Sequence, residues 1–402
     1  MSEVLKRALT AGACVLMGCA VAVVMTYRAK TPTQENLNLN GQLAGQQKYA
    51  EILSLVDQYY IGDDVDITEI NDGMAAGIIA GLGDRWSYYV SAEDYESYRE
   101  NINNEYVGVG ITIQAKLDDN ENLIGYEVND VTQGGPAEEA GILAGFVLIR
   151  VGDTDVKDIS LTEVKNMVKG EEGTTVNLTF LVDGNQEATF TVERRALSVI
   201  PARGQLLKGG QGYIIIDNFD AGCAETVKQL VKSLSDQGAT SLIFDVRNNP
   251  GGLKKELTNL LDYLLPEGIV FHTVDYAGNE DIIKSDASCV ELPMAVLVNA
   301  SSYSAAEYFA CALQEYGVAK VIGQHTFGKG YYQVGLNLSD GSAVNLSIGK
   351  YYTPNGVSLI DVGVTPDIEL ELDEDQAMQL ARKKLKPEED PQLQAAIESL
   401  QP

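Results

Sequence analysis

The sequence predicts a multidomain α/β protein with an N-terminal anchor, a helical region, a β-rich α+β unit and a mainly parallel α/β core. Three observations carry this. The runs GYIIIDNF (212–219), SLIFDVR (241–247) and MAVLVN (294–299) read as buried strands, and amphipathic helical stretches alternate with them. Residues 105–195 hold glycine-punctuated strand patterns with two short helical stretches. Residues 49–104 carry helical spacing instead. At 402 residues the chain has room for two or three cores.

Taken in order, Lys6 and Arg7 precede an uncharged apolar run over 8–27. Twenty residues can span a bilayer. We read residues 1–30 as an uncleaved single-pass anchor, with the rest of the chain outside the cytoplasm. Leu16-Met17-Gly18-Cys19 also fits a lipidation box, but the apolar run continues past Cys19. Residues 31–47 read as a linker rich in Gln and Asn. Ile52, Leu53, Val56 and Tyr59 then recur at helical spacing, a second helix starts near Ile67, and Ser91 caps a third. These fill the helical region, 31–104.

Region 105–195 begins with YVGVGITIQ, where Gly108 and Gly110 alternate with apolar residues. A short helix among glycines follows, then LTEVKNMVKG as a helix and TTVNLTFLVDG as a strand entering a turn. Region 196–370 holds the core strands. The loop Asn248-Asn249-Pro250-Gly251-Gly252 closes one of them at its carboxyl end, where α/β sites tend to lie; a plain tight turn is the simpler account of that loop. A hairpin follows Lys329, turning at Ser339-Asp340-Gly341. Residues 371–402 form a charged tail, helical in DPQLQAAIESLQ.

The net charge of −29 disfavours nucleic acid and anionic lipid as partners. No His/Cys cluster has metal-ligand spacing, and no phosphate-binding loop occurs, so no metal or cofactor is expected. The two histidines are His272 and His325, so a Ser-His-Asp triad would have to use one of them. Cys311 reads as a small core residue.

The chemistry is expected in residues 299–333. MAVLVN ends in a small polar loop, and a helix opens at Ser304. A helix start offers unpaired N–H groups and about half a positive charge, which can stabilise an oxyanion. Ser304-Ala-Ala-Glu307 also fits a plain capping box. Lys329, between Gly328 and Gly330, could deprotonate a serine if burial lowers its pKa, and Gln333 could orient it. An exposed hairpin lysine is the simpler alternative.

N-x-x-S-x-S-A-x-E over 299–307, followed by F-G-K-G-x-x-Q over 327–333, resembles the carboxy-terminal processing peptidases. The resemblance covers residues 49–370. It implies that Ser304 is the nucleophile, Lys329 the general base and Gln333 its orienting partner. It implies an oxyanion hole from the N–H of Ala305 and of Gly251 or Gly252. The core would be of the ClpP/crotonase-like type. Region 105–195 looks like a PDZ domain, whose backbone would receive a substrate's C-terminal carboxylate at Val107, Gly108, Val109, Gly110 and Ile111. Protein substrates with free C-termini and a homodimer through the helical region follow from the same resemblance. Two departures stand out. Phe146 replaces an aspartate, and Asp84-Arg85-Trp86-Ser87 lacks the proline of the family's D-P-x-S segment. A PDZ-containing binding protein with an inactive core is the alternative function; cleavage of a labelled peptide separates the two. An acyl-CoA enzyme of crotonase type is a further rival, with no basic site for its phosphorylated cofactor.

Overall fold

The computed structural model describes residues 39–62, 64–118, 122–182 and 186–401. The apolar run 8–27, expected as the anchor, lies outside them. Among the described residues no helix is long and apolar enough to cross a membrane. The chain divides into two units, 1–84 with 274–280, and 85–273 with 281–402.

The first unit contributes α1 (Leu39–Tyr59) and α2 (Ile67–Ala80). The expected linker is therefore helical from Leu39, because LNGQLAGQQ contains no proline or β-branched residue to stop the helix. Asp66 starts α2 by accepting from the N–H of Thr68 (2.7 Å) and Glu69 (3.3 Å). Although α2 is rich in apolar residues, it buries none of them.

The second unit opens with β1 (Tyr88–Val90) and α3 (Ala92–Ile102), where Ser91 Oγ accepts from Asp94 N–H at 3.0 Å. Next come β2 (Glu105–Gly108), β3 (Ile111–Leu117), β4 (Leu123–Val131), α4 (Pro136–Glu139), β5 (Val147–Val151) and β6 (Thr154–Asp155). Then follow α5 (Leu161–Val168), β7 (Thr175–Val182), β8 (Gln186–Glu193) and β9 (Arg195–Ser198). The order β3-β4-β5-β7-β8 forms one sheet, and β2 pairs with β9. Val128, Ala137, Ile142, Leu148, Val164, Leu178 and Phe180 form its core. Phe146 packs at 6.2 and 6.1 Å between ring centroids from Phe180 and Phe190, so the departure at this position serves the core.

The catalytic-type core comprises β10 (Ala202–Leu206), β11 (Gln211–Ile216), α6 (Cys223–Asp236), β12 (Ser241–Asp245), α7 (Lys254–Leu264), β13 (Gly268–Asp275) and β14 (Glu280–Ser285). It continues through β15 (Met294–Val298), α8 (Ala305–Glu315), β16 (Ala319–Gly323), β17 (Tyr331–Asn337), β18 (Ala343–Tyr352), β19 (Ile368–Glu369), α9 (Glu374–Ala381) and α10 (Pro391–Ser399). The central order is β10-β11-β12-β15-β16-β19, parallel except for β10 on the edge. Strand alternation sorts the two faces. Ile214, Ile216, Leu242, Phe244, Val296 and Val298 join the cluster that includes Val227, Leu260 and Phe309 of α6, α7 and α8. Tyr213, Ile243, Ala295, Leu297 and Ile322 turn the other way and meet Leu393 and Ala396 of α10. The charged tail thus closes the second face of the sheet.

One buried cluster fastens that tail. Arg247 donates to Asp245 Oδ1 (2.9 Å) and Oδ2 (2.6 Å), to Asp390 Oδ1 (3.2 Å) and Oδ2 (2.7 Å), and to Gln392 Oε1 (2.9 Å). Tyr213 donates to Asp245 at 2.6 Å.

Candidate active site

Strand β15 is buried throughout and delivers the chain to the sheet's carboxyl end, where Asn299 turns it. Asn299 Oδ1 accepts from Asn248 N–H (2.9 Å), and Asn299 Nδ2 donates to Asn248 Oδ1 (2.9 Å). Tyr303 N–H donates to Asn249 O at 3.2 Å. The 248–252 loop is therefore sewn to the loop bearing Ser304. Ser302, the neighbouring serine, is fully buried and donates to Val246 O at 2.7 Å, so its hydroxyl is already used.

Ser304 has φ 61° and ψ −121°, a conformation that costs about 1–3 kcal/mol in a non-glycine residue. Its surroundings enforce it. Its N–H donates to Glu307 Oε2 at 3.0 Å, and α8 behind it is buried from Ala305 to Leu313. The Glu307 carboxylate, with no solvent exposure, also accepts from Thr326 Oγ1 (2.6 Å), Gly328 N–H (2.6 Å) and Lys329 N–H (3.0 Å). One carboxylate thus clasps the backbone of both Ser304 and Lys329. From the sequence alone, Glu307 fits only a helix cap.

Tyr351 completes the inner ring, and nothing in the sequence singled it out. Its hydroxyl donates to Lys329 O. Burial pushes its phenol well above the ordinary value, followed by the repulsion of Glu307, while a hydrogen bond from the Ser304 hydroxyl acts the other way. Lys329 Nζ lies 4.4 Å from the Trp86 ring centroid. Gln333 sits at a bulge in β17, where its amide donates to Ser347 Oγ (3.0 Å) and Tyr331 O (3.3 Å).

A Cβ on Gly251 would stand 2.8 Å from Ala305 N and from Ser304 Cβ, and its φ is +93°. Only glycine fits there. Its N–H already donates to Asn249 Oδ1 at 2.8 Å. Gly252 packs instead on Phe219, where a Cβ would stand 2.4 Å from the carbonyl carbon. His325 is exposed and faces another segment, with Nε2 2.5 Å from Val362 O and Nδ1 3.4 Å from Thr365 Oγ1. Cys311 is buried in α8, which raises its thiol well above the ordinary value. Among the described residues no His/Cys/Asp/Glu group could hold a metal.

The residues expected to receive a carboxylate surround a groove of about 850 Å³. Gly108, Val109, Gly110 and Ile111 line it, with Ile113 of β3, Val168 of α5 and Lys169. Val107 N–H, however, donates to Glu100 Oε1 at 3.2 Å, and Lys169 Nζ is 3.3 Å from Glu100 Oε2. Val107 thus has an internal carboxylate where a substrate's was expected.

The family model described as peptidase family S41 matches residues 210–370, and one described as a PDZ domain matches 127–182. The chain is 30% identical over 374 residues to the carboxy-terminal processing protease CtpA of Bacillus subtilis, covering 92% of this chain and 78% of that one. It is 31% identical over 296 residues to a carboxyl-terminal-processing protease of Synechocystis, covering 72% and 68%. A solved structure from Bacteroides fragilis assigned to the S41 proteases aligns with a TM-score of 0.57 at 18% identity. That alignment covers 86% of this chain and 96% of the other and concerns the fold alone. With a mixed α/β peptidase fold and a PDZ domain, the chain belongs to the carboxy-terminal processing proteases, serine peptidases of family S41.

Proposed function

We propose that this enzyme cleaves proteins near their C-termini by a Ser304-Lys329-Gln333 mechanism. The observation that carries the reading is the Glu307 carboxylate, which fixes the backbone of Ser304 and Lys329 together at the sheet's carboxyl end. Ser304 Oγ bonds to the substrate carbonyl carbon and gives its proton to the neutral amine of Lys329. The C–N bond then breaks as Lys329 returns that proton to the leaving amine. Water, deprotonated in its turn by Lys329, hydrolyses the acyl-enzyme. Gln333 orients the amine. The Ala305 N–H at the start of α8 faces the developing oxyanion. Gly251 keeps that space open, and the N–H of Gly251 or Gly252 supplies the second donor.

The groove at Val109, Gly110 and Ile111 gathers substrate C-termini as an added strand. The apolar run 8–27 anchors the enzyme in the membrane, with the catalytic part outside the cytoplasm. Ile52, Leu55, Tyr59, Met74 and Ile78 are exposed on α1 and α2, an apolar surface suited to a homodimer.

The reading is tested on one peptide with a free C-terminus and its C-terminal amide. Ser304→Ala and Lys329→Arg should abolish cleavage while peptide binding persists, because a guanidinium stays charged at every usable pH. The amide should bind and be cut less well. Turnover by Lys329→Arg near the wild-type rate would end the Ser/Lys reading.

A further inference from the structure

The segment Asp84-Arg85-Trp86-Ser87, marked by its missing proline, has no part in the mechanism above. Its place is nonetheless beside the base. Trp86 makes a T-shaped contact with Phe327 (5.5 Å between centroids) and a tilted one with Tyr303 (6.2 Å), the residues two before Lys329 and one before Ser304. Lys329 Nζ lies 4.4 Å from the Trp86 centroid, and Arg85 Cζ lies 4.7 Å from the same centroid and 4.6 Å from that of Phe327. Ser87 holds the segment in place, accepting from Ser347 N–H at 3.0 Å. One indole therefore carries two cations, and one of them is the base.

We propose that Trp86 and Arg85 are positioning residues that tune Lys329, an inference that rests on Lys329 being the base. An indole face attracts the ammonium and not the neutral amine, so Trp86 favours the protonated, resting lysine and fixes where its amine sits. Arg85, drawn to the same ring, is a like charge and favours the neutral form. The two residues oppose one another and set the pH at which the base becomes available. Among the described residues, the ionisable groups shown at Lys329 include the Glu307 carboxylate at its N–H and the Tyr351 phenol at its carbonyl, with Tyr303 packed nearby on Phe327. Asp84 is the chain neighbour of Arg85.

The test is the pH–rate profile of the full chain on one peptide, with kcat and KM separated. Trp86→Ala should move the acid limb of kcat to lower pH by about 0.5–1 unit. It should also lower the alkaline plateau about ten-fold, because the amine is no longer held, with KM little changed. Arg85→Gln should move the limb the opposite way. Trp86→Phe should restore the plateau and most of the midpoint. A role confined to folding would lower the rate with the midpoint unmoved, and that outcome overturns the proposal, as do midpoints that move in the same direction in Trp86→Ala and Arg85→Gln. If Lys329→Arg itself is active, the failure belongs to the Ser/Lys reading instead.

Discussion

Two buried polar clusters flank the sheet's carboxyl end, and they are built in opposite ways. At Glu307 one carboxylate receives four donors, three of them backbone N–H groups, and among the described residues no cation pairs with it. At Arg247 one guanidinium meets two carboxylates, and its partners come from β12 and from residues more than 140 positions away. The first cluster fixes backbone and so fixes reacting groups. The second joins side chains and so joins segments. The comparison predicts that damage to the first is read in rate as well as in stability, and damage to the second in stability with little change of rate.

The largest effect is expected at Glu307. Glu307→Ala leaves four donors unpaired, two of them buried, and should lower stability by about 3 kcal/mol or more. It should also lower kcat by at least about 10³-fold, since both Ser304 and Lys329 lose their anchor. Glu307→Gln keeps the shape but turns an NH₂ toward donors, and should fold with kcat reduced about 10–100-fold. Thermal unfolding and single-turnover rates of the two variants check this. A fully active Glu307→Gln would reduce the carboxylate to a helix cap.

Arg247→Leu comes next. Two buried carboxylates lose their partner, a change that costs about 3–5 kcal/mol. Val246 N–H still donates to Leu297 O and Asn248 N–H to Asn299 Oδ1, so the 248–252 loop keeps its own ties. Turnover of the molecules that remain folded should therefore fall less than about ten-fold. Denaturant unfolding, with kcat measured well below the midpoint, separates the two quantities. A loss of rate as large as that of Glu307→Ala at unchanged stability would erase the contrast.

The sequence made these clusters unequally legible. Ser304, Glu307 and Lys329 lie in short spaced motifs, and helical and strand periodicity placed the elements around them. The role of Glu307 was missed because S-x-x-E describes one helix turn, whereas three of its donors come from 326–329. The Arg247 cluster was invisible because periodicity reports which face is buried and not which element covers it. Alternation along MAVLV shows two buried faces, yet only the fold reveals α10 on the second. Tyr351 was missed for a similar reason. It reads as one aromatic of the KYYTP strand end, and only the register of β17 on β18 brings it to Lys329. The linker over 39–47 was misread from composition, since Gln and Asn content does not oppose a helix that lacks proline.

The smallest effect concerns a third carboxyl, for which the described residues show neither donors nor a cation to compensate its burial. Asp220 follows Phe219, whose N–H donates to Gly251 O (2.7 Å) and whose carbonyl accepts from Leu253 N–H (2.8 Å), directly behind the loop proposed to hold the oxyanion. Burial alone pushes its carboxyl up to about 6. The sign follows from linkage: the folded protein binds this proton more tightly than the unfolded chain does. The contribution to stability is complete below the ordinary carboxylate range near 4 and is lost as pH rises through about 6. Asp220→Asn should therefore match the wild type at pH 4 and exceed it at pH 7.5. The gain is roughly 1 kcal/mol once its partial exposure to solvent is discounted. The opposite pH trend is expected for carboxylates that are held by donors or cations, because their stabilisation is lost on acidification. Melting temperatures of the wild type and Asp220→Asn across pH 4–8 provide the measurement. An Asn variant that loses stability at pH 7.5 would mean that Asp220 has a compensating partner when ionised, and would move it from this class into that of Glu307.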